Sequence, residues 1–470
     1  MQYRLESDSV GEKRIPKEAY YGVQSLRAQE NFMITGKKVH MEMIKALAQV
    51  KKATAITNMQ VELLNEKVGN AIIEACDEII EGGLKDQFIT DPIQGGAGTS
   101  MNMNLNEVIA NRAAEILGGE KGDYSIVHPN DHVNMGQSTN DVIPTGGKIA
   151  TIRLLNKALV SLEDLVKALS DKAKEFDHVI KMGRTQMQDA VPIRLGQEFR
   201  AYSNAIKRDL VRIKRAEEEL YHVNIGATAI GTGINADEEY VKNITPNLSK
   251  VTGLELIQCE DLVDGTQNLD SFASVSSMLK VCALSISKIA NDLRLMSSGP
   301  RTGFGEINLP AKQNGSSIMP GKINPVIAEV ANQVAFAIVG NDVTITMAVE
   351  AGQLELNAFE PVLYYKLFES IEILKNGVDT FIENCIKDIT ANEERCKELV
   401  ENSVGIITAI CPHVGYKKAA NVAKTAIKTG ESVRELILKE NLLSPKELDT
   451  IFNPYGMTEP GISGKELLKK

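Results

Sequence analysis

The chain has 470 residues, too many for one ordinary hydrophobic core, so its length predicts two or three domains. Apolar residues make up 43% and charged residues 24%, and 62 acidic against 52 basic residues give a formal net charge of -10. This balance argues against a nucleic-acid-binding protein, which needs a basic surface. It does not exclude a small anionic substrate, because a few cations inside a pocket can set the local field.

The N-terminal sequence and the cysteine content indicate in which cellular compartment the protein is expected. The first residues show no apolar run behind a basic segment, so no signal peptide is predicted. No uninterrupted apolar stretch of about 18 residues or more predicts a membrane span. The six cysteines contain no Cys-x-x-Cys pair, and a disulfide framework is unusual in a chain of this size. We therefore expect a cytoplasmic protein without membrane contact, whose cysteines are reduced and mostly buried.

Long helices dominate the middle of the chain. Apolar residues recur between Ile152 and Phe176 in steps of three and four residues, which is the pattern of a helix packed on other helices. Further long helices are predicted at 191–222, 267–297, 325–349 and 357–389. The pattern predicts an all-α, mostly helical protein with a central long-helix bundle at 140–393, an N-terminal domain at 1–139 and a small C-terminal domain at 394–470. Apolar stripes of this length favour a closed homo-oligomer.

Three polar, glycine-containing segments interrupt this pattern, at 95–104, 128–141 and 315–325. Their hydroxyl and amide groups suit a small dianion, because such groups surround carboxylate oxygens without adding excess charge. Turns and helix caps use the same residue types, so each segment taken alone is also explained as local structure.

The third segment has the most specific composition. Gly315, Gly321 and Pro320 constrain its backbone around a serine pair and Lys322. A serine beside a lysine, in a loop of oriented N–H donors, can have its ionised form stabilised. Ser316 is therefore a candidate base, and its alternative role is that of a loop-capping serine.

Two other patterns are weaker. His128 and His132 have the spacing of a helical metal pair, but Pro129 lies between them and no third ligand follows, so no metal site is expected. The segment 226–233 begins like a phosphate-binding loop, but it lacks the closing Lys-Ser/Thr pair, so nucleotide binding is not expected.

The segment Gly315-Ser-Ser-Ile-Met-Pro-Gly-Lys-Ile-Asn-Pro325 resembles the signature loop of the aspartase/fumarase superfamily. Gly299–Ile307, Asn130–Asp141 and Gly98–Val108 also resemble that superfamily, and the resemblance extends from about Arg14 to the end of the chain. It implies a three-domain, all-helical subunit in a homotetramer whose active sites are each shared between three subunits. It also implies a lyase that acts on a small molecule and needs neither a metal nor an organic cofactor.

Within the superfamily, several segments favour the aspartases, which convert L-aspartate to fumarate and ammonia. Ala19–Gln24 and Glu30–Gly36 resemble aspartases, as does Ser100, and Gln186 stands where fumarases typically have His. The segment His128–Asp131, in contrast, resembles the second dicarboxylate site of fumarases. Class II fumarase therefore remains the near alternative. A non-catalytic structural member, as among lens crystallins, is a further one, and a nucleotide-linked lyase fits less well over the first hundred residues.

The resemblance also implies a role for each matching residue. The reaction removes a proton next to a carboxylate, so the site must stabilise a doubly negative enediolate. The loop 315–325, hinged at its glycines, would close over the substrate. Glu329 matches a glutamate that pairs with the fumarase His, and with Gln186 present it is expected to be structural. The implied roles are Ser316 as the general base; Thr99, Ser138, Thr139 and Ser317 as donors to the β-carboxylate; Thr185, Lys322 and Asn324 at the α-carboxylate; and Asn140 and Gln186 at the amino group.

Overall fold

The computed structural model describes residues 2–469, and helices make up 63% of it, which confirms the predicted all-α class. Within these residues the structure has seventeen α-helices, joined by short 3-10 and π turns. In chain order they are α1 Val23–Asn31, α2 Met41–Gln60, α3 Glu66–Ile80, α4 Thr99–Ile116, α5 Thr139–Glu175, α6 Leu195–Glu218, α7 Glu238–Thr252, α8 Leu262–Gln267, α9 Asp270–Met296, α10 Val326–Glu350, α11 Glu360–Asn384, α12 Glu393–Asn402, α13 Ile407–Val414, α14 Tyr416–Thr429, α15 Val433–Lys439, α16 Pro445–Ile451 and α17 Pro454–Thr458.

The strands of residues 2–469 form four two-stranded sheets. Three of the sheets are antiparallel and the pair β5–β6 is parallel. The strands are β1 Tyr3–Asp8, β2 Gly11–Pro16, β3 Ile180–Thr185, β4 Gln188–Arg194, β5 His222–Val223, β6 Ile257–Gln258, β7 Ile307–Asn308 and β8 Thr390–Ala391.

The chain divides into two compact units. Unit 1 contains residues 1–160, 209–283 and 335–375, and unit 2 contains residues 161–208, 284–334 and 376–470. This division follows compactness in space, and its boundaries fall inside α5, α6, α9, α10 and α11. The domain boundaries predicted from the sequence, at 139/140 and 393/394, stay a prediction.

Unit 1 is built around α2, whose 20 residues include thirteen buried ones. A helix buried on nearly all sides belongs in a core, and α2 packs against α3, α4 and α7. Its first turn is capped by His40, whose Nδ1 accepts the N–H of Glu42 at 3.1 Å. Such a cap satisfies one of the free donors at a helix start and helps to fix where the helix begins.

Unit 2 contains a smaller apolar core formed by its C-terminal helices. Ile410, Val422, Ile437 and Leu448 are buried there, together with Met182 from β3. The short helices α15 and α16 each begin with a capping box, in which a serine and the glutamate three residues later bond to each other's backbone N–H. The contact with Met182 joins the β3–β4 hairpin to this core.

The predicted long helices are present, and four of them start and end within five residues of their predicted bounds. The apolar seam at 152–176 belongs to α5, which is 37 residues long and begins earlier, at Thr139, with Pro144 in its second turn. The helix predicted to start at 191 begins instead at Leu195. This part of the prediction was wrong because residues 188–194 pair with β3 and form β4.

Two helices, α9 and α10, are long and apolar enough to cross a membrane by length and composition alone. Core helices of bundles pass the same test, and the most apolar windows of α9 and α10 are 50% and 39% buried. Asp342 of α10 is buried and accepts hydrogen bonds from Ser276 at 2.7 Å and Lys280 at 2.5 Å on α9. A charged group placed mid-helix favours packing against protein over contact with lipid.

Candidate active site

The ten residues with predicted site roles are divided between the two units. Unit 1 holds Thr99, Ser138, Thr139 and Asn140, and unit 2 holds Thr185, Gln186, Ser316, Ser317, Lys322 and Asn324.

Thr99 begins α4 after a tight glycine turn. Gly96 and Gly98 both have positive φ, of 87° and 89°, which side chains other than glycine rarely adopt. A Cβ atom at Gly98 would also lie 3.1 Å from Ile143. The Thr99 side chain is exposed, and its Oγ1 donates to the Gly96 carbonyl at 2.7 Å. The turn therefore presents the Thr99 hydroxyl at the start of a helix, where the free N–H groups favour an anion.

Ser138, Thr139 and Asn140 form the start of α5. The Ser138 hydroxyl accepts the N–H of Asn140 at 3.2 Å. The Asn140 amide donates to the Ala229 carbonyl at 2.7 Å, which leaves its Oδ1 as the atom that can accept a hydrogen bond from an ammonium group. The structure thus brings three predicted site residues together at one helix start.

Asp141, which the sequence did not single out, holds this helix start to a second loop. Its Oδ1 accepts the N–H of Ser138 at 3.0 Å, and its Oδ2 accepts those of Gly226 at 3.1 Å and Thr228 at 3.0 Å. The glycine-rich segment 226–233 therefore wraps around a buried carboxylate. Burial raises the pKa of Asp141 to about 6, and the three N–H donors oppose that rise.

A buried lysine lies in the same region of unit 1. Lys51 of α2 is fully buried, and its ammonium donates to Asn134 Oδ1 at 2.8 Å and Gln137 Oε1 at 2.9 Å. Burial lowers the pKa of Lys51 to about 7, and the charge of Asp141 opposes this shift. A lysine inside the run Ala46-Leu-Ala-Gln-Val-Lys51 is the sequence signal that could have identified it, because an unpaired buried lysine is rare.

In unit 2, Thr185 and Gln186 lie at the exposed turn between β3 and β4. Thr185 pairs with Gln188, so Gln186 and Met187 form a two-residue turn. Both have positive φ, of 53° and 63°. Two-residue hairpins need this geometry but normally use Asn or Gly for it. Backbone strain of this kind often occurs where a side chain must project from a functional site.

The signature loop closes on itself through hydrogen bonds at its base. The N–H of Gly315 donates to the Lys322 carbonyl at 2.8 Å, and the Asn324 amide donates to the Gly315 carbonyl at 2.5 Å. Ser316 Oγ accepts the N–H groups of Ile318 at 3.2 Å and Met319 at 2.9 Å. Ser316 therefore caps the loop, as the alternative interpretation expects. The same two donors would also stabilise an ionised hydroxyl.

The other predicted residues of this region are more open. Ser317 and Lys322 are exposed, and Glu329 is half-buried in the first turn of α10. The loop thus exposes the hydroxyl of Ser317 and the ammonium group of Lys322 to solvent.

His128 and His132, which have the spacing of a metal pair, both accept hydrogen bonds from nearby backbone N–H groups. His128 Nδ1 accepts the N–H groups of Asn130 and Asp131, each at 3.2 Å, and His132 Nδ1 accepts the N–H of His128 at 2.9 Å. Residues 2–469 contain no group of three or more His, Cys, Asp or Glu side chains placed to hold a metal ion.

Matches to models of known protein families define the superfamily of this chain. A family model described as lyase matches residues 11–340, and one described as the C-terminus of fumarase C matches residues 406–459. Because the first match spans well over half of the chain, the chain belongs to the aspartase/fumarase superfamily of lyases. The resemblance of its polar segments to that superfamily is therefore confirmed.

Within this superfamily, the chain is more similar to some known proteins than to others. The chain is 60% identical over 469 residues to the aspartate ammonia-lyase of Bacillus subtilis strain 168, covering 100% of this chain and 99% of that protein. The structure of a fumarate lyase/delta crystallin from Brucella melitensis, solved bound to cobalt, superposes on this chain with a TM-score of 0.96 at 48% identity. The superposition covers 98% of this chain and 100% of the Brucella chain. The class II fumarase of Schistosoma mansoni superposes with a TM-score of 0.94 over the same shares, at 34% identity.

Proposed function

We propose that this chain is an aspartate ammonia-lyase, which converts L-aspartate to fumarate and ammonia. The observation that carries the proposal is the 60% identity to an aspartate ammonia-lyase over the whole length of both chains. The geometry of the signature loop agrees with it, because Ser316 Oγ faces two backbone N–H donors. The comparisons favour this function over class II fumarase, since identity to the fumarase is 34%.

The reaction requires removal of a weakly acidic proton from the carbon beside the β-carboxylate. In the proposed mechanism Ser316 takes this proton as an alkoxide, whose charge is stabilised by the N–H groups of Ile318 and Met319. The resulting electron pair spreads into the carboxylate as an enediolate. Ammonia then leaves from the neighbouring carbon as the double bond of fumarate forms.

The remaining residues hold the substrate and stabilise the intermediate. We assign Thr99, Ser138, Thr139 and Ser317 to the β-carboxylate, where each preorganised donor contributes roughly 3–4 kcal/mol in comparable sites. Thr185, Lys322 and Asn324 bind the α-carboxylate. Asn140 and Gln186 bind the amino group through their side-chain carbonyl oxygens. This assignment uses hydroxyl and amide groups and one lysine, which suits a dianion that gains charge in the transition state.

We further propose a homotetramer in which each active site is shared between three subunits. In unit 1, one face of α10 exposes Phe336, Val343 and Met347, with 66%, 56% and 68% of their surfaces accessible. Gly340 lies between them and has no atom within 4 Å of an added Cβ, so another helix could approach closely there. An exposed apolar face of this kind is typical of subunit interfaces.

All six cysteines are unpaired. Free thiols fit a reducing compartment, and we place the enzyme in the cytoplasm.

The direct test is to incubate the purified protein separately with L-aspartate and with L-malate, and to follow the ultraviolet absorbance of fumarate. We expect fumarate from L-aspartate and little from L-malate. Fumarate from L-malate alone would instead establish the fumarase alternative. Absence of product from both substrates would favour a structural or nucleotide-linked superfamily member.

A further inference from the structure

The hairpin that presents Thr185 and Gln186 rests on four charged side chains in unit 2, of which two are buried and two are half-buried. Arg184 Nη1 donates to Glu306 Oε1 at 2.8 Å, and Lys181 Nζ lies 3.5 Å from Glu306 Oε2. Lys181 also donates to Glu198 Oε1 at 3.0 Å. Two cations and two carboxylates thus form one connected network directly behind the turn.

A bulge in β3 makes this network possible. In a regular strand, residues 181 and 184 would point to opposite faces, because side chains alternate. The register shifts between Met182 and Arg184, so both cations reach the same carboxylate. Gly183 lies at the bulge, where an added Cβ would be 2.7 Å from the Val191 carbonyl oxygen. The bulge therefore places both basic side chains on Glu306.

Glu306 is itself firmly anchored. It is fully buried, its N–H donates to the Met296 carbonyl at 2.8 Å, and its carbonyl accepts the N–H of Asn392 at 2.8 Å. The Arg184 guanidinium carbon also lies 4.0 Å from the centre of the Phe304 ring. Stacking and ion pairing together fix the guanidinium plane.

Arg184 itself is not positioned as a substrate ligand. Its Nη1 is shared between Glu306 and the Met182 carbonyl, at 2.8 and 3.3 Å, and its plane lies against Phe304. Thr185, the next residue, begins the exposed turn. A change in the Arg184 pair is therefore transmitted to Thr185 through one peptide unit and to Gln186 through two.

We propose that Arg184 and Glu306 are positioning residues, whose ion pair fixes the turn carrying Thr185 and Gln186 at the substrate's α-carboxylate and amino group. This inference rests on the proposed aspartate ammonia-lyase function. In this proposal Arg184 and Glu306 hold the turn in place, and Thr185 and Gln186 contact the substrate. Loss of the pair should displace the turn and weaken substrate binding even if the subunit remains folded.

The test compares Arg184→Gln with Arg194→Gln. Arg194 is a matched control, because it is 7% exposed, lies at the opposite end of the same hairpin, and is paired with Asp177 at 3.0 Å and with Glu459. Both variants lose an arginine that is paired with a carboxylate, and both should unfold at lower urea concentration. Only Arg184→Gln should lower kcat/KM for L-aspartate by about ten- to a hundredfold, chiefly through a higher KM.

Amide hydrogen exchange of the peptide 180–194 gives a second measurement that does not require activity. We expect faster exchange around the turn in Arg184→Gln, and faster exchange only at the outer end of the hairpin in Arg194→Gln. Glu306→Gln keeps an acceptor for Arg184 but removes the charge, so its KM should lie between those of wild type and Arg184→Gln. This variant replaces Arg184→Gln in the test if Arg184→Gln does not fold.

The outcomes separate the inference from the proposed function. An active wild-type protein in which both arginine variants change KM equally, with equal exchange around the turn, would overturn the positioning role. A wild-type protein that releases no fumarate from L-aspartate would refute the proposed function. In that case the exchange data alone would still decide whether the Arg184–Glu306 pair fixes the turn.

Discussion

At the scale of single residues, one hydrogen-bond arrangement gives Ser316 its structural role and would also serve its proposed role as the base. Its hydroxyl oxygen accepts two backbone N–H groups, which hold the loop and also lower the energy of an alkoxide. Replacing it by alanine removes the base but leaves the residues assigned to the two carboxylates in place. We expect Ser316→Ala to lower kcat for L-aspartate by about 10²–10⁴-fold, the contribution of a general base, with little change in KM.

Steady-state kinetics with L-aspartate measure this effect. Ser297→Ala is a matched control, because Ser297 donates its hydroxyl to the Arg294 carbonyl at the end of α9 and has no assigned role in catalysis. A kcat for Ser316→Ala within a factor of about two of wild type would show that another group takes the proton.

Lys51 links a single residue to the stability of the whole chain. The pKa of Lys51 is about 7 in the folded chain, against 10.5 for an ordinary lysine. Below pH 7 both states carry the proton, and the cost of the buried charge is fully present. Between pH 7 and 10.5 the folded state releases the proton while the unfolded state keeps it. The contribution of Lys51 to the free energy of unfolding therefore rises with pH over this window.

This pH dependence can be isolated by comparison with Lys51→Met, which lacks the titrating group. The variant leaves Asn134 and Gln137 without their donor, but that loss is the same at every pH. We expect the free energy of unfolding, measured with urea, to rise from pH 7 to 9 in wild type relative to the variant, by up to roughly 1 kcal/mol per pH unit. Parallel stability curves for wild type and Lys51→Met over this pH range would contradict the depressed pKa of Lys51.

At the scale of elements, the β3–β4 turn stores backbone strain. Met187 has a φ of 63° and is 56% exposed, so its side chain contributes little packing to offset the left-handed conformation. Such a conformation costs about 1 kcal/mol in a residue other than glycine. We expect Met187→Gly to stabilise the folded state by up to about 1 kcal/mol in urea unfolding, because glycine adopts this turn without strain.

Gly183→Ala is the opposing comparison. Gly183 has no room for a Cβ beside the Val191 carbonyl, so this variant should destabilise the same hairpin. A Met187→Gly protein less stable than wild type would show that the methionine side chain has a packing role.

The long helices were predictable from the sequence because their apolar residues recur with a helical period over many turns, as in α5. The β3–β4 hairpin was not, since it carries the buried Lys181 and the half-buried Arg184 on a short strand with a bulge. Charged residues in a short segment predict an exposed loop. Carboxylates elsewhere in the chain, Glu198 and Glu306, stabilise these cations away from water.

The candidate site was predicted in a similar way. Composition indicated its hydroxyl and amide segments, and the resemblance of those segments to a superfamily supplied the role of each residue. Neither pointed to Asp141, because its function depends on N–H groups of Gly226 and Thr228 that are distant in sequence. Contacts between segments are therefore the part of the site that a single sequence does not contain.

At the scale of the whole molecule, the surface of one chain is consistent with the proposed assembly. The exposed residues Phe336, Val343 and Met347 repeat along α10 at seven- and four-residue spacing. This spacing places them on one helix face, as in helices that pair with a second subunit. The hydroxyl groups assigned to one substrate carboxylate come from segments far apart in sequence, and the superfamily resemblance implies that such segments meet in a site shared between three subunits.

Shared active sites predict that two inactive variants restore activity together. Ser138→Ala and Ser316→Ala each damage one of the segments that meet in a site. If those segments come from different subunits, mixed tetramers contain sites in which both segments are intact. Co-expressing the variants with different tags and purifying doubly tagged tetramers should recover up to about a quarter of wild-type activity, for random assembly from equal amounts. Each variant alone is the control. No recovery in doubly tagged tetramers would show that the Ser138 and Ser316 segments of each site come from the same subunit.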